Sequence, residues 1–422
     1  MLSTHFSSFI ITLSLLFQTN ALSFLPLSTS GRDIVDNAGE TVTYAGANWP
    51  GHMSAMIPEG LQYQSIENIV SKIKSVGFNV IRLTFAVEMV DNIFEGGDVD
   101  VQTSLKRALG DADGVILWKK IQEKNPTFGN TITRLEVFDA VAAECEKQGI
   151  MIHLDNHMSK AKWCCNTGDD NTWFGDREFD ADKWRRAWVY MAKHASPRKR
   201  RTRSWPALAS YGMRNELRSP DYNANLKANY YNWKDWYANM KPCAQQIQLA
   251  NPDAIVFFSG LKFDTDLSAV TAQQDLGGGQ KFSKEDFLPG KIALELHNYM
   301  LGAKDCKTIT DVLYPHGWNA LHESNPLVLP VVMTEFGFRQ TANASSTPYA
   351  QCLKTFFEKE RAGWIYWVLA GSYYIRSGNK DSDETWALLN HDWSDWRAPE
   401  VVENYFIPMA EGTTRRRRRC GK

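Results

Sequence analysis

Ser65–Leu83 reads SIENIVSKIKSVGFNVIRL. Ser65 is a helix N-cap, and Ile66, Ile69, Val70, Ile73 and Val76 recur at three- and four-residue spacing, the apolar stripe of a helix. Gly77 ends that helix, and Phe78 to Leu83 follows as a strand. The same unit returns further on: Leu135, Phe138, Ala142 and Cys145 share a helical face, Gly149 stops it, and Ile150 to Leu154 continues as a strand. Near-continuous apolar runs of this kind suit parallel strands covered on both faces. They fall at Val42–Ala47, Phe78–Phe85, Ile150–Leu154, Leu208–Met213, Ala254–Ser259, Ile292–Leu296, Leu329–Thr334 and Trp364–Leu369. Eight is the closure number of a (β/α)8 TIM barrel, so the expected fold is α/β, with long βα loops over 86–134 and 155–206. An open doubly wound sheet is the competitor. No Gly-x-Gly-x-x-Gly follows any run, and Gly277-Gly278-Gly279 lacks the Lys-Ser/Thr of a phosphate loop.

Around this core the ends of the chain read differently. Residues 1–21 hold the apolar run Phe9 to Phe17, too short for a membrane span, and close on Thr19-Asn20-Ala21. They read as a secretory signal. The barrel domain is expected over 22–410 and a basic, disordered tail over 411–422. Formal net charge is −1, with 47 Lys and Arg against 48 Asp and Glu. The positive charge is concentrated in Arg198–Arg203 and Arg415–Arg419, which leaves an acidic body and argues against a nucleic-acid partner. No later segment reaches membrane-spanning length, and a monomer is expected. Seven cysteines leave at least one unpaired, for which Cys420 is the first choice. Asn343-Ala344-Ser345 is a glycosylation sequon, which fits a surface loop outside the cell.

In a barrel, chemistry gathers at the C-terminal ends of the strands. Strand two offers Arg82, and strand three runs out through Asp155-Asn156-His157. Strand four ends in Asn215-Glu216, strand six in His297-Asn298-Tyr299, strand seven in Glu335-Phe336-Gly337, and strand eight carries Trp367. Two glutamates thus face one mouth among Arg, His, Tyr and Trp. That inventory suits glycosidic cleavage, in which one carboxylic acid protonates the departing oxygen and a carboxylate supports the positive charge on the sugar carbon. His153, Asp155 and His157 share a strand face and raise a metal reading, but the later strands supply only His297 in addition. Neither a metal nor a cofactor is expected, and His153 reads as a core residue. Trp184, Trp188 and Trp364 read as packing; Trp49, Trp163, Trp173, Trp367 and Trp393 lie where an indole face can stack on a sugar.

These motifs resemble glycoside hydrolase family 5, the cellulase family, in its secreted endoglucanase-like form. The residues that carry the resemblance are Val80-Ile81-Arg82-Leu83, Leu154-Asp155-Asn156-His157, Arg214-Asn215-Glu216, Leu296-His297-Asn298-Tyr299, Thr334-Glu335-Phe336-Gly337 and Trp367. The resemblance implies a retaining double displacement on a β-linked glucan, with Glu216 as acid/base and Glu335 as nucleophile. It implies that Arg82 and Tyr299 orient Glu335, Asn215 binds the sugar 2-hydroxyl, His157 and His297 line the cleaved subsite, and Trp367 is a stacking platform. The family pattern follows Asn-Glu with Pro, where this chain has Leu217-Arg218. Mannan and glucosylceramide are alternative substrates, and a non-catalytic carbohydrate-binding barrel is the alternative class.

Overall fold

The computed structural model describes residues 22–197 and 204–414. The expected signal, the basic cluster 198–203, the arginines 415–419 and Cys420 lie outside them. Eight parallel strands close on themselves: β1 (Ala45–Trp49), β2 (Val80–Ala86), β3 (Met151–Met158), β4 (Leu208–Gly212), β5 (Ile255–Phe258), β6 (Ile292–Asn298), β7 (Val331–Phe336) and β8 (Gly363–Tyr366). β8 pairs with both β7 and β1, which removes the sheet edge and with it the open-sheet alternative. Every residue of all eight strands is buried, as expected where helices cover the outside and side chains fill the inside.

The opening motif folds as its pattern requires. The Ser65 hydroxyl accepts the Asn68 N–H at 3.1 Å, helix Ile66–Ser75 buries Ile66, Ile69, Val70 and Ile73, and Gly77 takes φ 80°. Helix Arg134–Gln148 begins with a reciprocal capping box between Thr133 and Glu136 and ends on Gly149 in the left-handed region. Inside the barrel, β4 must carry Gly212: a Cβ there would lie 2.7 Å from His153 Nε2 and 3.1 Å from Asp155 Oδ1.

Two expectations shift. The segment 86–134 is not an open loop; helices Val87–Gly96, Val101–Leu109 and Asp111–Lys124 occupy it. Helix Ile407–Thr414 runs into the expected tail, and its buried Thr413 hydroxyl takes the Trp364 indole N–H at 3.1 Å. Beyond β8 a hairpin of Ser372–Arg376 and Asn379–Asp383 turns on Ser377 (φ 49°) and Gly378 (φ 85°). Cys306 and Cys352 form a disulfide, as do the neighbours Cys164 and Cys165, while Cys145 and Cys243 are buried thiols.

Candidate active site

Arg82 rises from the middle of β2 with no solvent exposure and spends its guanidinium on four partners. Nη1 donates to Glu335 Oε1 at 2.6 Å and Asn48 Oδ1 at 2.7 Å; Nη2 donates to Asp155 Oδ1 at 2.8 Å and Asn215 Oδ1 at 2.9 Å. This one side chain ties the ends of β1, β3, β4 and β7 together. A buried guanidinium needs such partners, because an unpaired charge away from water is prohibitive. Asp155 passes the order on through Oδ2 to His157 Nδ1 at 2.8 Å, and the His157 ring stacks on Trp367 with centroids 5.3 Å apart.

The two glutamates meet over this platform. Glu335, at the end of β7, also accepts the Tyr299 hydroxyl on Oε2 at 3.0 Å. Glu216, four residues past β4, has its Oε1 3.1 Å from His297 Nδ1, which is itself 3.7 Å from Glu335 Oε2. A carboxylate oxygen of each glutamate and a ring nitrogen of His297 lie within 4.8 Å of one another. Burial lifts the Glu216 carboxyl to about 7, against the pull of Arg218 and Arg82. Burial also raises Glu335, opposed by His297 and by the Arg82 ion pair. His157 and His297 are both lowered by burial, so both are neutral rings near neutral pH.

A cavity of about 330 Å³ opens over these groups, lined among others by His157, Asn215, Glu216, Tyr299, Glu335 and Trp367. The structure therefore places six of the eight anticipated residues on its wall, with His297 and the buried Arg82 hydrogen-bonded to residues of that wall. The family description of cellulase (glycosyl hydrolase family 5) matches residues 35–372. The chain belongs to glycosyl hydrolase family 5. A family 5 protein from Chamaecyparis obtusa is 32% identical over 391 residues, which is 90% of this chain and 65% of that protein's length. An endoglucanase from Paenibacillus polymyxa is 20% identical, over 88% of this chain and 84% of its own. Among solved folds, the endocellulase of the archaeon Pyrococcus horikoshii superposes with a TM-score of 0.67 at 18% identity, over 93% of this chain and 99% of that one.

Several residues of this family 5 site escape a reading of strand ends. Asp264, beyond β5, accepts the Glu216 backbone N–H on Oδ2 at 2.7 Å and so fixes the segment that carries Glu216. Its signal in the sequence is only an acidic residue past a strand. Trp163, Cys164, Cys165, Trp386, Arg376 and Glu384 complete the cavity wall. The Arg376 guanidinium lies 3.6 Å from the centre of the Trp163 ring and donates to Glu384 at 2.7 Å. Trp386 stands between the polar run Asp383-Glu384-Thr385 and the apolar Ala387-Leu388-Leu389, so the sequence alone does not separate a packing indole from one that lines a cavity.

Three of the five tryptophans expected to offer a stacking face do not. Trp49, Trp173 and Trp393 have no solvent exposure. The Trp49 indole donates to Glu59 O at 2.9 Å and that of Trp393 to Ser372 O at 3.2 Å, so both rings are spent on packing the loops above the barrel. Trp163 and Trp367 do line the cavity. Among the described residues two groups have ligand atoms close enough for a metal ion, Glu216 with His297 and Glu335, and Cys164 with Cys165 and Glu216. In the first, His297 and Arg82 already engage the carboxylates; in the second, the sulfurs are bonded to each other. His153 pairs with Ser210 at 2.8 Å inside the barrel, the core role expected of it.

Proposed function

We propose that the protein is a retaining β-glycosidase that hydrolyses a β-linked glucan by double displacement outside the cell. The observation that carries this is the approach of the Glu216 and Glu335 oxygens to within 4.8 Å. Retaining enzymes hold their carboxyl groups about 5–5.5 Å apart, whereas inverting ones leave about 6.5–9.5 Å for a water. In the first step Glu335 attacks the anomeric carbon as the glycosidic C–O bond breaks, and Glu216 gives its proton to the departing oxygen. In the second, water attacks the same carbon, Glu216 takes the water's proton, and the bond to Glu335 breaks. Sugar is released with its original configuration. Arg82 and Tyr299 hold Glu335 ionised and aimed, and burial keeps Glu216 protonated until it is needed.

The glucan reading draws on the relatives. The Paenibacillus polymyxa relative is named an endoglucanase, and the Pyrococcus horikoshii endocellulase has been solved with cellotetraose. Secretion is supported by the signal-like residues 1–21, by the exposed sequon residue Asn343 and by the Cys306–Cys352 disulfide, a bond that persists in oxidising compartments. The test is sugar release from β-glucan, mannan and xylan, with product configuration followed by NMR. We expect release from β-glucan with retention, abolished in Glu335→Gln while the circular dichroism spectrum is preserved. Unchanged release in that variant, or binding of oligosaccharide with no hydrolysis by the wild type, refutes the proposal.

A further inference from the structure

Cys164 and Cys165 stand in the wall of the catalytic cavity, and the double displacement uses neither. Their sulfurs are joined to each other, and both face the site. The Asn215 amide points Nδ2 at each sulfur from 3.6 Å, while its Oδ1 is held by Arg82. Cys165 is partly open to the cavity and Cys164 is 9% exposed. Glu216 is their neighbour: one of its carboxylate oxygens and the two sulfurs all lie within 4.8 Å of one another. The remaining described cysteines offer no such set. Cys145 and Cys243 are wholly buried thiols, and the Cys306–Cys352 bond does not line this cavity.

The frame that keeps these three groups together does not depend on the bond between the sulfurs. Arg218, itself buried, donates through Nε to the carbonyl of Asn166, the residue after Cys165, at 2.9 Å. Its Nη1 donates to the Glu216 carbonyl at 2.7 Å, and its Nη2 to Asp169 Oδ2 at 2.6 Å. Asp169 Oδ2 also accepts the Asn166 N–H at 3.1 Å. On the other side of the pair, Trp163 lies under the Arg376 guanidinium at 3.6 Å. Opening the disulfide therefore leaves two sulfurs beside a carboxylate. Two thiolates and one carboxylate form a set that suits Zn²⁺ or Cd²⁺, and not the oxygen-seeking Mg²⁺ or Ca²⁺. Zn–S bonds of about 2.3 Å and Zn–O bonds of about 2.0–2.2 Å span at most about 4.5 Å between ligand atoms, so a small side-chain rotation closes the set on one ion.

We propose that the Cys164–Cys165 disulfide masks a thiophilic metal site, and that its reduction lets one divalent cation bind both sulfurs and the Glu216 carboxylate. A dithiol reductant supplies the two electrons. One of its sulfurs attacks Cys165 Sγ and the Cys164 sulfur leaves; its second sulfur then displaces Cys165, giving two protein thiols and a cyclic disulfide. The cation takes the place of the proton on each thiol and on Glu216, and so withdraws the acid. The effect on activity rests on the glycosidase reading above; the binding of metal does not.

The test compares the full chain as the disulfide, the full chain reduced with dithiothreitol and then freed of it, and Cys164→Ser/Cys165→Ser treated alike. Zinc binding is followed by calorimetry, Cd²⁺ by thiolate-to-metal absorption, and activity by kcat/KM on cellotetraose. The reduced wild type should bind one Zn²⁺ more than the oxidised chain and show cadmium–thiolate absorption that the oxidised chain lacks. Saturating Zn²⁺ should lower its kcat/KM about 10²–10⁴-fold, the worth of a positioned acid, and a chelator should restore it. Reduced Glu216→Gln should bind Zn²⁺ at least tenfold more weakly. Equal zinc binding by the oxidised and reduced chains overturns the inference, as does undiminished binding by the reduced double variant or by Glu216→Gln. The comparison of oxidised with reduced wild type needs no variant to fold. An oxidised chain that cleaves no glycoside removes the glycosidase reading and leaves zinc binding by the reduced pair measurable.

Discussion

Glu216 sits at φ 47°, in the left-handed region that a side chain with a Cβ normally avoids. Asp264 takes its N–H and Arg218 Nη1 donates to its carbonyl at 2.7 Å, so the conformation is imposed from both ends of the residue. What the strain secures is a buried carboxyl beside His297 whose proton stays on up to about pH 7. Glu335 must be ionised to attack, and burial places its titration above the ordinary carboxylate range. The two requirements give a bell-shaped kcat/KM profile. Its acid limb, where Glu335 gains a proton, lies above the ordinary carboxylate range, and its alkaline limb, where Glu216 loses one, lies near pH 7. Glu216→Gln should lower kcat/KM about 10²–10⁴-fold for an alkyl glucoside. It should barely affect a 2,4-dinitrophenyl glucoside, whose leaving group departs without a proton. Equal losses on both substrates would remove the acid role from Glu216.

The elements were legible to very different degrees. All eight strands overlap the apolar runs, because a strand buried on both faces keeps its hydrophobic residues nearly continuous up to the polar groups of its C-terminal half. The residues at their C-terminal ends inherit their position from that assignment, so Arg82, Asn215, Glu216, His297, Tyr299 and Glu335 could be placed at one mouth. Loops offer no such period. Trp163 and Trp393 both follow strands, yet one lines the cavity and the other is wholly buried, because the direction of a returning loop depends on long-range packing. Asp264 was hidden for a related reason, since three left-handed residues in succession leave no mark when none is glycine. The pairing of Cys306 with Cys352 was equally unreadable. It joins helix Cys306–Leu313 to helix Pro348–Glu360 and spans 46 residues of chain. A loop of that length corresponds to about 4 kcal/mol in the chain-entropy account. Replacing both cysteines by serine should therefore lower Tm by several degrees in calorimetry, with kcat/KM retained because neither sulfur lines the catalytic cavity. An unchanged Tm would mean that the bond adds nothing to the fold.

At the scale of the whole molecule, the barrel is closed around a cluster of carboxyls organised by one arginine. Asp155, Asp264, Glu295 and Glu335 are buried and Glu216 is partly so, and burial raises every one of them. Glu295 is the member with no place in the chemistry: it stands on β6 inside the barrel, with an oxygen 3.6 Å from His153 Nε2, and burial lifts it to about 7. A carboxyl whose folded pKa exceeds its unfolded one stabilises the native state most at acid pH. The benefit is lost as pH climbs from the unfolded value, near 4.3, to the folded one. For Glu295 that window runs from about 4.3 to about 7, and the loss across it is on the order of 3 kcal/mol. The wild type should accordingly lose stability between pH 5 and pH 8 relative to a variant in which this one group cannot titrate, while the buried neutral histidines act alike in both. Glu295→Gln keeps the shape and removes the titration, so its Tm should match the wild type near pH 5 and exceed it at pH 8. Calorimetry across that range decides the matter. A variant whose slope matches that of the wild type would show that Arg82 already holds Glu295 as a carboxylate in the folded chain.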